Sequence, residues 1–120
     1  MDTRSKILAL DRALRLKPPL VLASGTFDIL RAAHARELRA LRESSPGAAL
    51  LVAVLPARQA VASGRTRAEM AAALRVVDYV VIAEPEDVAR LIDSLRPVAV
   101  ARLEAADRHR WHELREHVRK

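Results

Sequence analysis

Short, continuous apolar runs alternate along the chain with longer segments in which apolar residues recur at helical spacing. The apolar runs are typical of strands buried on both faces of a parallel sheet, and they span residues 20–24, 48–55, 79–82 and 98–101. The amphipathic segments predict helices over residues 3–16, 33–43, 66–76 and 86–94, followed by a charged helix from Glu104 or Asp107 onwards. This alternation predicts an α/β fold with an open, mostly parallel sheet of about four strands and helices on both faces.

Length and local signals complete this picture of the elements. At 120 residues the chain has the size of one domain, so we expect a single domain over residues 1–120. Pro18 and Pro19 would end the first helix, because proline cannot continue a helix interior. Thr66 is the predicted N-cap of the third helix, and Glu69, three residues later, would complete a capping box.

The first predicted strand runs directly into a glycine-containing turn and the next helix. The junction reads Gly25-Thr26-Phe27-Asp28-Ile29-Leu30-Arg31-Ala32-Ala33-His34. Backbone N–H groups and the positive end of the helix dipole would meet at such a turn, and together they favour an anion. The carboxyl end of a strand is also where parallel α/β sheets bind their ligands. The junction therefore predicts a phosphate-binding site.

Composition narrows the classes of partner. The formal net charge is +6, which favours anionic ligands, but the chain has only one Phe, one Tyr and one Trp. Because single-stranded nucleic acids are bound largely by aromatic stacking, nucleic acid is the less favoured anion. Without cysteine there is no disulfide framework and no thiolate metal site, which fits a cytoplasmic protein. No apolar run approaches the roughly 20 residues that span a bilayer, so we expect no membrane association.

The amino-acid sequence of the junction resembles a known motif. Nucleotidyltransferases of the cytidylyltransferase-like superfamily carry the pattern G-[TC]-F-D-[IL]-L-H-x-G-H. The junction is most similar to this motif in glycerol-3-phosphate cytidylyltransferase and in the adenylyltransferase domain of ADP-heptose synthase. Residues 25–30 and His34 match this pattern, whereas Arg31 stands at its first histidine and Ala33 at its glycine. Two later segments, 65–81 and 95–104, also resemble stretches of the family.

The resemblance implies a three-layer Rossmann-like fold and a nucleotidyl-transfer reaction. Members transfer a nucleotidyl group from ATP or CTP, bound with Mg²⁺, to a small phosphorylated sugar or alcohol, and many are homodimers. Carried onto this chain, the motif assigns catalysis to His34 and Arg31. The residues that it assigns to nucleotide binding are Gly25, Thr26, Phe27, Asp28, Ala33, Arg65, Arg67 and Arg102. It assigns no metal ligand to the protein itself.

Departures from the family pattern bear on activity. Arg31 is permanently charged and cannot exchange a proton near neutral pH as histidine can, and Ala33 adds a methyl group where glycine allows close approach. The family's lysine after the second strand, its final strand and its Ser/Thr-rich turn have no counterpart, and residues 103–120 diverge. We therefore expect lost or reduced transferase activity; the alternative is a catalytically degenerate nucleotide-binding or assembly module.

Several of these residues also have structural interpretations. Phe27 can belong to the core, and Asp28 can cap the turn by accepting local N–H groups. Arg67 can be solvated or paired with Asp78, which itself can organise the corner between the third helix and its strand. His109 and His112 have the spacing of one helical face, but an ion-paired face is a commoner use of such a pattern than a metal site.

Overall fold

The computed structural model describes residues 2–27, 32–57 and 62–104. A short 3₁₀ helix at Thr3–Lys6 precedes the strands and helices. The strands are β1 (Ile7–Leu8), β2 (Leu20–Gly25), β3 (Ala49–Val54), β4 (Tyr79–Ile82) and β5 (Ala99–Arg102). The helices are α1 (Leu10–Ala13), α2 (Ala32–Glu43), α3 (Gly64–Ala72) and α4 (Pro85–Leu95).

All five strands are parallel and form one sheet in the order β1-β4-β3-β2-β5. The central strand β2 pairs with β3 on one side, Leu22 opposite Leu51, and with β5 on the other, Leu22 opposite Val100. The α/β fold and the strands predicted from the apolar runs are confirmed, with ends that differ by a residue or two.

The predicted first helix over residues 3–16 is wrong, and the sheet has five strands where about four were expected. Ile7 and Leu8 form β1 and pair with Val80 and Val81 of β4, which leaves only Leu10–Ala13 for α1. Periodicity reports how apolar residues are spaced, but pairing with a strand far along the chain decided the backbone conformation here.

Helices cover both faces of the sheet, which gives the three layers. On one face α2 and α3 pack against the strands through Leu38, Ala68, Ala71 and Ala72. On the other face α1 and α4 contribute Ala13, Val88, Leu91 and Leu95. Successive residues of β2 alternate between the two clusters, as the two-residue period of a strand requires. Both faces of the central strands are therefore buried.

The N-cap of α3 is Ser63 rather than the predicted Thr66. The Ser63 hydroxyl accepts the Thr66 backbone N–H at 3.1 Å, and Glu69 pairs with Arg65 at 3.3 Å instead of closing a capping box. The helix starts two residues earlier than predicted because Ser63 already satisfies a free N–H of the first turn. A capping box does occur at α4, between Glu84 and Asp87.

The C-terminal helix predicted from Glu104 or Asp107 falls, beyond Glu104, outside the described residues. In the three described stretches, no helix has the length and apolarity needed to cross a membrane.

Candidate functional site

Strand order predicts a ligand-binding crevice beside β2. The chain passes from β2 to β3 on one side, whereas β5 pairs with the other side of β2. Sheets of this kind bind ligands beyond the carboxyl ends of the strands at such a reversal. We call the region between the end of β2 at Gly25 and the end of β5 at Arg102 the crevice; Ser24 and Arg102 are in register there. The predicted phosphate-binding turn begins at this point.

Phe27 shapes the described part of the turn. Its backbone adopts φ 52°, a left-handed conformation that is unusual for a bulky residue, and its side chain is only 1% exposed. The core interpretation of Phe27 is confirmed. A Cβ at Gly25 would lie 3.0 Å from Cε2 of the Phe27 ring and 3.4 Å from Cβ of Leu103. Gly25 therefore allows the ring and Leu103 to pack against the end of β2.

His34 lies in the first turn of α2 and points into the protein. Its side chain is 4% exposed, and its ring meets the Phe27 ring edge-on with 5.9 Å between centroids. The neighbouring Ala33 is half-buried. The two rings connect the helix start to the turn, so His34 lies beside the crevice in a position set by packing.

Arg67 joins three segments at this edge of the sheet. Its Nη1 donates to the carbonyl oxygens of Thr26 and Leu55, at 2.6 Å each, and its Nε donates to that of Ala62 at 3.2 Å. The side chain is 4% exposed, so the suggested solvated position is wrong. Among the described residues no carboxylate lies within ion-pair distance of Arg67. Arg67 therefore holds the ends of β2 and β3 next to the start of α3.

Asp78 lies at the amino end of β4, away from the crevice, and does not pair with Arg67. Its Oδ1 accepts from Nη2 of Arg42 at 3.2 Å, and its Oδ2 accepts the Leu50 backbone N–H at 2.8 Å. The interpretation that Asp78 organises this corner is confirmed. A cavity of about 550 Å³ lies here, lined by Arg39, Arg42 and Asp78 among others. The crevice beside Gly25 is at the other end of the strands.

Ser24 and Glu104 form a contact that sequence reasoning missed. Ser24 is fully buried, and its hydroxyl lies 3.0 Å from Oε1 and 2.9 Å from Oε2 of Glu104. The two residues are 80 positions apart in sequence, and strand pairing between β2 and β5 brings them together. The available signal was a charged residue, two positions after the end of β5, where the resembled family segment has glycine.

The remaining predicted residues are distributed unevenly. Thr26 is half-buried and accepts from Arg67, so it belongs to the crevice. Arg102 is exposed at the end of β5, and the exposed Arg65 forms an ion pair with Glu69. Asp28 and Arg31 lie outside the described residues.

Histidine and carboxylate side chains do not gather into a metal site in the part of the chain that the structure describes. No group of three or more His, Cys, Asp or Glu side chains is close enough there to hold an ion. His109 and His112 lie outside the described residues.

Comparison with known proteins agrees with the fold. A sequence model of the family described as cytidylyltransferase-like matches residues 22–120. Among solved structures, the chain is similar to the lipopolysaccharide core biosynthesis protein from Thermoplasma volcanium GSS1, with a TM-score of 0.61 and 21% identity over 68% of this chain and 71% of that one. No curated protein matches the chain. The structural likeness supports the fold.

Proposed function

Since the chain belongs to the cytidylyltransferase-like family, we propose that it binds ATP or CTP in the crevice between the ends of β2 and β5. The observation that carries the proposal is the contact between Phe27, after β2, and His34, in the first turn of α2, at the reversal of strand order. The family reaction would join a phosphorylated sugar or alcohol to the nucleotide. An acceptor oxygen attacks the α-phosphorus, and pyrophosphate leaves.

Residues of the crevice have distinct roles in this proposal. His34 donates a hydrogen bond to a phosphate oxygen from the first turn of α2, and Arg31 adds a permanent charge in place of the family's first histidine. Arg67 acts as a positioning residue, since its guanidinium holds the carbonyls of Thr26 and Leu55. Its buried charge has no carboxylate partner among the described residues, which also favours an anion nearby.

Magnesium would enter with the triphosphate rather than reside in the protein. The described residues contain no cluster of metal-ligating side chains, and Mg²⁺ commonly keeps its waters and binds through phosphates with few protein ligands. The chain's own contribution is to position the phosphates and to stabilise charge that develops on them.

We expect this site to transfer nucleotides slowly or not at all. Catalytic histidines must keep contact with the phosphates while negative charge develops on them, yet His34 is packed against Phe27. Arg31 stands in place of the motif's other histidine. The alternative is a non-catalytic nucleotide-binding or assembly module in the same family. Two side chains at the crevice favour it: Leu103 packs beside Gly25, and the Glu104 carboxylate lies on Ser24.

Calorimetric titration with ATP and CTP, with and without magnesium, tests binding, and pyrophosphate release over a panel of sugar and alcohol phosphates tests transfer. His34→Asn should weaken nucleotide binding by about tenfold, because hydrogen bonds to charged groups contribute roughly 1.5–3 kcal/mol. Ala40→Asn places the same residue on an exposed position of α2 and should bind as the wild type does. Failure of the folded wild type to bind either nucleotide at millimolar concentration would overturn the proposal.

A further inference from the structure

We propose that Glu104 is a specificity-determining residue that makes the crevice select against highly charged phosphates. This inference rests on the proposed function, because it concerns the ligand of the same crevice. It predicts that the crevice binds ATP, but less tightly than ADP or AMP, because each added phosphate brings more negative charge next to the carboxylate.

The position of the carboxylate follows from the sheet. Ser24 precedes the last residue of β2 and lies opposite Arg102 of β5, two residues before Glu104. Ser24 is 0% exposed, and both oxygens of Glu104 lie within 3.0 Å of its hydroxyl. The carboxylate is therefore held over the ends of β2 and β5, where the ligand is expected.

The hydrogen bond engages the Ser24 hydroxyl, so this donor is not available to a phosphate. A serine hydroxyl has one proton to donate, and here Glu104 accepts it. A ligand phosphate at the same place would have to displace a group of its own charge. Leu103, only 6% exposed and packed beside Gly25, fills space next to it. Glu104 thus acts as a built-in anion in the crevice.

Among the described residues, Glu104 has no ion-pair partner, because no Arg, Lys or His nitrogen lies within ion-pair distance of its carboxylate. The buried guanidinium of Arg67 donates to three backbone carbonyls instead. Because repulsion in a partly buried site is screened less than at the surface, each further phosphate charge should weaken binding.

Titrations of adenosine, AMP, ADP and ATP in magnesium-free buffer test this selectivity. Glu104→Gln keeps the shape and an acceptor oxygen for Ser24 but removes the charge. We expect it to bind ATP about tenfold more tightly than the wild type, as one neutralised charge at close range predicts. Adenosine, which carries no phosphate, should bind both proteins equally.

Glu43→Gln is the matched control, because it removes the same charge from an exposed position near the amino ends of the strands, away from the crevice. It should leave the ratio of ATP to adenosine affinity unchanged. Thermal unfolding of each variant verifies that the comparison is made between folded proteins. A Glu104→Gln protein that binds nucleotides with the wild-type ratio would overturn the role of Glu104 and leave the proposed function standing. If neither the wild type nor Glu104→Gln binds any of the ligands, the role of Glu104 and the proposed function are both overturned.

Discussion

Gly25 shows how the absence of a side chain allows close packing at the end of β2. The motif assigns this glycine to nucleotide binding, and the structure gives it a packing role as well. A Cβ at Gly25 would make an unusually close contact with the Phe27 ring, at 3.0 Å, and would lie 3.4 Å from Leu103, and Phe27 holds a left-handed backbone conformation. Such a conformation in a bulky residue costs about 1–3 kcal/mol, which the burial of the ring offsets.

Gly25→Ala should destabilise the protein by about 1–3 kcal/mol, because the added methyl group forces the Phe27 ring or Leu103 to move. Urea unfolding measures the change. Gly64→Ala is the matched control: its Cβ would meet Arg67 at 3.7 Å and Ile82 at 3.9 Å, which are ordinary contacts. At the start of α3 it should be neutral or slightly stabilising. Equal losses in the two variants would contradict the packing role of Gly25.

At the scale of elements, Arg67 links segments that the chain separates widely. Its partners follow β2 and β3 and precede α3, and Thr26 is 41 positions away in sequence. A buried arginine that donates to carbonyls satisfies backbone groups in loops where no strand can pair with them. The crevice therefore depends on α3, although α3 follows a different strand.

Arg67→Met should destabilise the protein by about 2–4 kcal/mol, since it keeps the apolar stem but leaves buried carbonyls without donors. The midpoint of urea unfolding reports this loss. Arg65→Met on the same helix removes only an exposed pair with Glu69 and should cost about 0.5 kcal/mol or less. A loss from Arg67→Met no larger than that of Arg65→Met would refute the linking role.

At the scale of the whole molecule, β5 is an edge strand of the described sheet and has an exposed apolar surface. Val98 is 63% exposed and Val100 is 38% exposed, and Val100 lies beside the buried Leu22 of β2. An exposed edge strand is a template for pairing with another chain. This surface supports the homodimer expected from the family, which stays a prediction.

Sedimentation velocity over a range of protein concentrations should reveal a dimer that Val100→Lys dissociates, because a charged side chain on an edge strand opposes pairing. Met70→Lys is the control, since Met70 on α3 is exposed to the same extent, 38%. It should dimerise as the wild type does. A wild type that stays monomeric at its highest soluble concentration, or a Val100→Lys protein that still dimerises, would rule out this interface.

The sequence by itself determined the central strands, most helices and the family, because apolar runs, helical spacing and a short motif are local properties of the chain. Only the tertiary structure decided which residues meet. β1 is a strand because β4 accepts it, Arg67 is buried because three carbonyls converge on it, and Glu104 reaches Ser24 through the pairing of β5 with β2. These contacts join residues far apart in the chain, so their geometry depends on the packed sheet.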